Sequence, residues 1–236
     1  DGTLLAYGDT DKKLRLWDIR SARGLAALPG HTDAITDLTF NNNGSLIATS
    51  SADKTIRLGL HVENAYDLTL RDRSFRVEGW YWLEWPEPVN AIIKERQIPS
   101  TEIIEFTNLI DSSSYSLSPV EPETRKQANG SYLQEFRFST KLYISDLNLG
   151  SFPFVNLTLP IFLETAPDAL SCYKGNDHGC VSLAFDNSSD DVFLGQFVDI
   201  NGYDVKGAVS REFLHQYPTT FGSGLQSAFG ALRLDI

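Results

Sequence analysis

The chain has 236 residues, 42% of them apolar and 22% charged, with 20 basic against 31 acidic side chains and a formal charge of −11. That is material for one large domain or one and a half ordinary ones, which excludes a disordered chain. The acidic balance excludes a nucleic-acid binder, whose phosphate contacts need clustered Lys and Arg, and the longest nearly uncharged apolar stretch, Val155–Leu163, falls well short of the roughly 18 to 20 residues that span a bilayer.

There is no Met anywhere and no leader of the charged-then-apolar kind, so the sequence reads as a fragment or a processed chain. Its charge is uneven. Residues 1–60 carry seven basic and seven acidic side chains and the remainder thirteen and twenty-four, which divides the chain into two units, 1–59 and 60–236. Short runs of Val, Ile, Thr, Phe, Tyr and Trp without long helical stripes predict an all-β protein.

The first unit repeats itself at an offset of 42 positions. Gly2-Thr3-Leu4-Leu5-Ala6 matches Gly44-Ser45-Leu46-Ile47-Ala48, Asp11-Lys12 matches Asp53-Lys54, and Leu14-Arg15-Leu16-Trp17 matches Ile56-Arg57-Leu58-Gly59. With Gly30-His31 and Trp17-Asp18, this resembles the WD40 repeat. The resemblance implies a structural hydrogen-bond network of His31, Asp53 and Trp17, with Thr49 as a further member, and at the second copy Gly59 replaces the Trp. One to one and a half blades are an incomplete propeller, because blades bury their sheets against one another.

From His61 the period is two. Val62, Asn64, Tyr66, Leu68 and Leu70 are predicted on one face of a strand; Phe75, Val77, Gly79, Tyr81, Leu83 and Trp85 on one face of the next, leaving Trp80 and Trp82 on its charged side. Large aromatics there call for a cover: a partner chain, a ligand, or the loop 86–100 with its three prolines. Further alternation through Phe136–Ile144, Val155–Leu163 and Leu232–Ile236 predicts an immunoglobulin-like antiparallel β-sandwich of about ten strands.

The order of these segments, with Ile104-Glu105-Phe106-Thr107-Asn108 and Phe152-Pro153-Phe154, resembles the extracellular ligand-binding domain of pentameric ligand-gated ion channels, most nearly the prokaryotic ones. The resemblance departs at Val155-Asn156-Leu157, where the family usually has Asp, one residue, then Gln. It implies a coupling loop at Phe152, Pro153 and Phe154, and a ligand site between subunits formed by Trp80, Trp82, Tyr173, Tyr217 and Phe221. It further implies a small organic, possibly cationic, ligand, a homo-pentamer in the full-length protein, membrane attachment through segments outside this sequence, and an extracellular or periplasmic location. Rival readings are a WD40 scaffold mediating protein–protein interaction and the ectodomain of a bacterial signalling receptor.

Cys172 and Cys180 bracket a short Gly-containing loop and favour a disulfide over a metal site, for which too few further ligands lie nearby. Asp186-Asn187-Ser188-Ser189-Asp190-Asp191 reads as a solvated acidic turn. Asn-x-Ser/Thr sequons stand at Asn43, Asn129, Asn156 and Asn187. No phosphate loop, Gly-x-Ser-x-Gly or His-Glu-x-x-His occurs, so neither an enzyme nor a cofactor or metal is expected.

Overall fold

Alternating apolar and polar residues build strands along most of this chain, and the computed structural model shows how they pair. It describes residues 3–8, 13–28, 35–40, 44, 46–51, 54–145, 147, 150, 156–171, 180–186, 193–195, 198, 200, 202–218 and 227–236. The chain divides into two units, Asp1–Thr55 and Ile56–Ile236, a few residues ahead of the boundary at 59/60 that the charge and repeat patterns indicate.

In the first unit, β1 (Leu4–Gly8), β2 (Leu14–Asp18) and β3 (Arg23–Leu28) form an antiparallel meander, and β4 (Ile35–Phe40) pairs with β5 (Ile47–Ser51). The turn after β2 is made by Asp18, whose carboxylate accepts from the Arg20 and Ser21 amides at 2.8 and 3.3 Å and from the Ser21 hydroxyl at 2.7 Å. The Ser21 hydroxyl, then the two amides, hold that carboxyl below its ordinary range. One face of the meander is covered: Ala6 is buried, and a Cβ on Gly8 would lie 2.5 Å from the Ile35 side chain of β4.

The second unit opens with β6 (Thr55–Thr69) and β7 (Ser74–Trp85), then α1 (Glu87–Glu95), β8 (Ile104–Phe106), β9 (Ser116–Pro119), β10 (Arg125–Lys126) and β11 (Tyr132–Tyr143). It continues with β12 (Pro160–Thr165), β13 (Ser182–Phe185), β14 (Val209–Gln216) and β15 (Ala228–Asp235). Six strands form one sheet, ordered β10-β11-β7-β6-β13 with β9 also on β11, and four form another, ordered β14-β15-β12-β8. Among the described residues neither sheet closes into a barrel.

Both sheets contribute to one hydrophobic core. Phe75, Val77, Tyr81, Leu83 and Trp85 of β7, Phe136 and Phe138 of β11, Ile161 and Leu163 of β12, and Leu232 and Leu234 of β15 are all buried in it. Rings meet across the sheets, with Tyr81 and Phe106 centroids 6.4 Å apart.

Two expectations are corrected here. The strict alternation from Val62 to Leu70 does not hold, because β6 bulges at Val62/Asn64 and again at Tyr66/Thr69, where Asp67 takes φ 52°. A bulge adds a residue and exchanges the faces, so Ala65 is buried and Tyr66 exposed. Residues 86–100, expected as a loop, contain α1. Pro86 and Pro88 occupy the helix entrance, where a missing N–H costs nothing, and Val89, Ile92 and Ile93 are buried.

Candidate functional site

The described residues that the channel resemblance assigns to a site between subunits come from two different sheets. Trp80 and Trp82 lie on the outer side of β7, in the six-stranded sheet. Tyr217 follows β14 and lies on the outer face of the other sheet. Tyr173, Phe221, the loop residues Phe152, Pro153 and Phe154, and His31 and Asp53 of the repeat lie outside the described residues.

Both tryptophans are engaged within their own chain. Trp82 crosses Gly59 on the neighbouring strand so closely that a Cβ there would stand 1.9 Å from its Cε2 atom. Its Nε1–H donates to Asp186 Oδ2 at 2.9 Å. Trp80 is half-buried beneath the Arg137 guanidinium, 5.3 Å from the ring centroid, and Arg137 in turn lies 3.6 Å from Glu63 Oε2. β6, β11 and Asp186 thus cover part of each indole, and both remain half-buried.

The outer face of the four-stranded sheet holds a polar group of which the sequence reading singled out only Tyr217. Glu164 of β12 is 2% exposed although it faces away from the core. Its Oε1 accepts from the Tyr217 hydroxyl at 2.6 Å, and its Oε2 lies 2.6 Å from His215 Nδ1. Glu105 of β8 stands opposite it in register. Glu105 keeps access to water, yet its partial desolvation, and then the Glu164 carboxylate, push it above the ordinary carboxyl range. Burial followed by Glu164 also pushes the Tyr217 hydroxyl well up, which keeps it an O–H donor. The group joins residues 51 and 53 positions apart, so no local pattern in the sequence brings its members together.

Cys180 is disulfide-bonded, and Cys172 lies outside the described residues. Among the described residues no group of three or more His, Cys, Asp or Glu side chains is arranged to hold a metal ion, and no helix is long and apolar enough to cross a membrane.

In the first unit the second face of the meander is open. Leu5, Tyr7, Trp17 and Leu25 are 48, 38, 38 and 58% exposed. Trp17 packs over Gly24, and with Tyr7, Arg15 and Leu25 it lines a depression of about 420 Å³.

The model of the WD domain, G-beta repeat, matches residues 23–58. Residues 23–58 are a WD40 repeat. This repeat comprises β3, β4, β5 and the first residues of β6. Over 59 residues the chain is 37% identical to the U5 small nuclear ribonucleoprotein 40 kDa protein of Dictyostelium discoideum, covering 25% of this chain and 17% of that one. It is 42% identical over 59 residues to the WD repeat and SOCS box-containing protein 1 of Homo sapiens, covering 25% and 14%. To Autophagy-related protein 16 of Arabidopsis thaliana it is 36% identical over 67 residues, covering 28% and 12%. The chain thus spans less than a fifth of the length of these relatives.

These findings overturn the reading of the chain as a ligand-sensing ectodomain. The similarity found is to WD-repeat proteins, and nothing found indicates a pentameric channel. The small-molecule ligand and the pentamer lose their basis with it.

Proposed function

We propose that the chain acts as a protein-interaction scaffold, binding a partner protein through the open face of the β1–β3 meander. The observation that carries this reading is the WD40 repeat at residues 23–58, shared with proteins whose names include a ribonucleoprotein component and a SOCS box-containing protein. Its physical support is the asymmetry of the meander. The face containing Ala6 and Gly8 is covered by β4, whereas Leu5, Tyr7, Trp17 and Leu25 on the other side are exposed among the described residues. An apolar patch of this kind is stabilised by a second sheet laid across it, so the partner fitted to it presents an apolar sheet face. The second unit, two sheets over one core, fits an immunoglobulin-like antiparallel sandwich, and the reading requires no catalytic step.

The test is affinity purification of the full chain beside a Leu5→Glu/Leu25→Glu variant, followed by reconstitution of any stoichiometric partner from purified components. Both positions are exposed, so the variant retains its fold, which circular dichroism verifies. The wild-type complex is expected and the variant is expected to lose it. A partner held equally well by both, or no stoichiometric partner at all, overturns the reading.

A further inference from the structure

The turn joining β10 to β11, Gln127–Ser131, contains an asparagine followed by glycine, and the surrounding groups hold its side chain in a defined position. Asn129 Oδ1 accepts from the Ser131 amide at 3.0 Å and lies 2.7 Å from the Ser131 hydroxyl. Asn129 Nδ2 donates to Glu84 Oε1 of β7 at 3.2 Å, and the Ser131 hydroxyl donates to the same carboxylate. Gly130 takes φ 88°, with open space where a Cβ would be.

We propose that Asn129 is a site of spontaneous deamidation through a cyclic imide. The Gly130 backbone nitrogen attacks Asn129 Cγ, the new N–Cγ bond forms, and the Cγ–Nδ2 bond breaks. Ammonia departs, carrying the proton given up by the Gly130 nitrogen. Water then opens the imide at one of its two carbonyls, leaving isoaspartate or aspartate.

The geometry favours each stage. The bond from the Ser131 amide to Oδ1 spans Gly130 and so holds the Asn129 side chain beside that residue's backbone, the kind of proximity that ring closure needs. The same amide N–H points at the oxygen on which negative charge develops during attack. Glycine leaves the attacking nitrogen unshielded, and its N–H is committed only to Gln127 O at 3.1 Å, within an exposed turn. The product differs physically from the parent: an N–H donor to Glu84 becomes a carboxylate beside it, so attraction becomes repulsion, and isoaspartate lengthens the turn by a methylene.

A control is built into the chain. Asn156 is exposed as well, but Leu157 follows it, and a branched side chain hinders attack by the next amide. The experiment incubates the full chain at neutral and mildly alkaline pH and follows each asparagine by peptide mapping, with isoaspartate scored separately. A sample unfolded in guanidinium and a Gly130→Ala variant run alongside. Conversion at Asn129 with isoaspartate among the products, faster in alkali, with Asn156 intact and most of the conversion lost in Gly130→Ala, is expected. Asn129 remaining intact in the folded chain while the unfolded chain converts, equal conversion at Asn129 and Asn156, or aspartate without isoaspartate each overturns the proposal.

Discussion

Trp82 lies across Gly59 with its indole where any side chain at position 59 would have to be, 1.9 Å from the place of the missing Cβ. The WD40 match ends one residue earlier, at Leu58, and from Arg57 onward β6 pairs with β7, Arg57 opposite Glu84 and Leu58 opposite Leu83. The glycine that replaces the Trp of the preceding copy is therefore the residue that admits Trp82. Residues 56–58 of the match belong to the second unit, where Arg57 and Leu58 pair with β7.

Gly59→Ala is expected to destabilise the second unit by about 1–3 kcal/mol, the usual cost of overpacking a filled site. A methyl group there meets Cε2, Cζ2 and Nε1 of Trp82 at once, so relief requires the whole indole to move. Urea unfolding of the wild type and variant measures it, and an unchanged midpoint would show that the ring is displaced freely.

Trp82→Phe keeps an aromatic cover over Gly59 and deletes the Nε1–H donor to Asp186. The expected loss is about 1 kcal/mol, that of one part-buried hydrogen bond to a charged acceptor offset by remaining solvent access. Because the bond ties β7 to the residue after β13, hydrogen exchange at Phe185 is expected to accelerate more than exchange at Phe136.

Tyr217→Phe removes one of the donors of a carboxylate that is only 2% exposed. Leaving a buried acceptor short of a partner costs about 1–3 kcal/mol, and the same measurement on Tyr7→Phe, a tyrosine in the other unit, provides the comparison. Equal effects at the two sites would refute a special role for the Glu164 network.

Glu105 gives a signed prediction for pH. Its carboxyl is held above the ordinary range by partial desolvation and then by Glu164, and because it keeps access to water the cost to the folded state of ionising it is small. Its contribution to stability is complete below the ordinary carboxylate range and is lost as pH rises through the raised value. Glu105→Gln removes that loss: the variant is expected to be more stable than wild type above the carboxylate range and to converge with it in acid. Melts over a pH series decide the matter, and two curves that never converge would count against it.

Much of this was legible along the chain. Phe75, Val77, Tyr81, Leu83 and Trp85 alternate in sequence and all lie in the core, as do Phe136, Phe138, Leu232 and Leu234. The repeat was visible as self-similarity, and the family comparison finds it at 23–58. The helix α1 was hidden by its own prolines, which normally mark a loop but at a helix entrance cost little. The bulges in β6 were hidden because period two carries no warning of an inserted residue. Apart from Tyr217, the Glu164 group was hidden because its members come from β8, β12 and the end of β14, far apart in sequence.

Which side of β7, β11 and β15 is apolar, and that residues 1–59 contain a repeat, follow from residues that are neighbours in sequence. Local sterics alternate side chains across a strand, and a repeat is a comparison of the chain with itself. What covers the polar side was decided only by folding. The two indoles on β7 find a glycine, an arginine and an aspartate that arrive from other strands, one of them 104 positions away. A hydrogen bond and a van der Waals fit depend on distance in space, and that distance exists only once the sheets have paired.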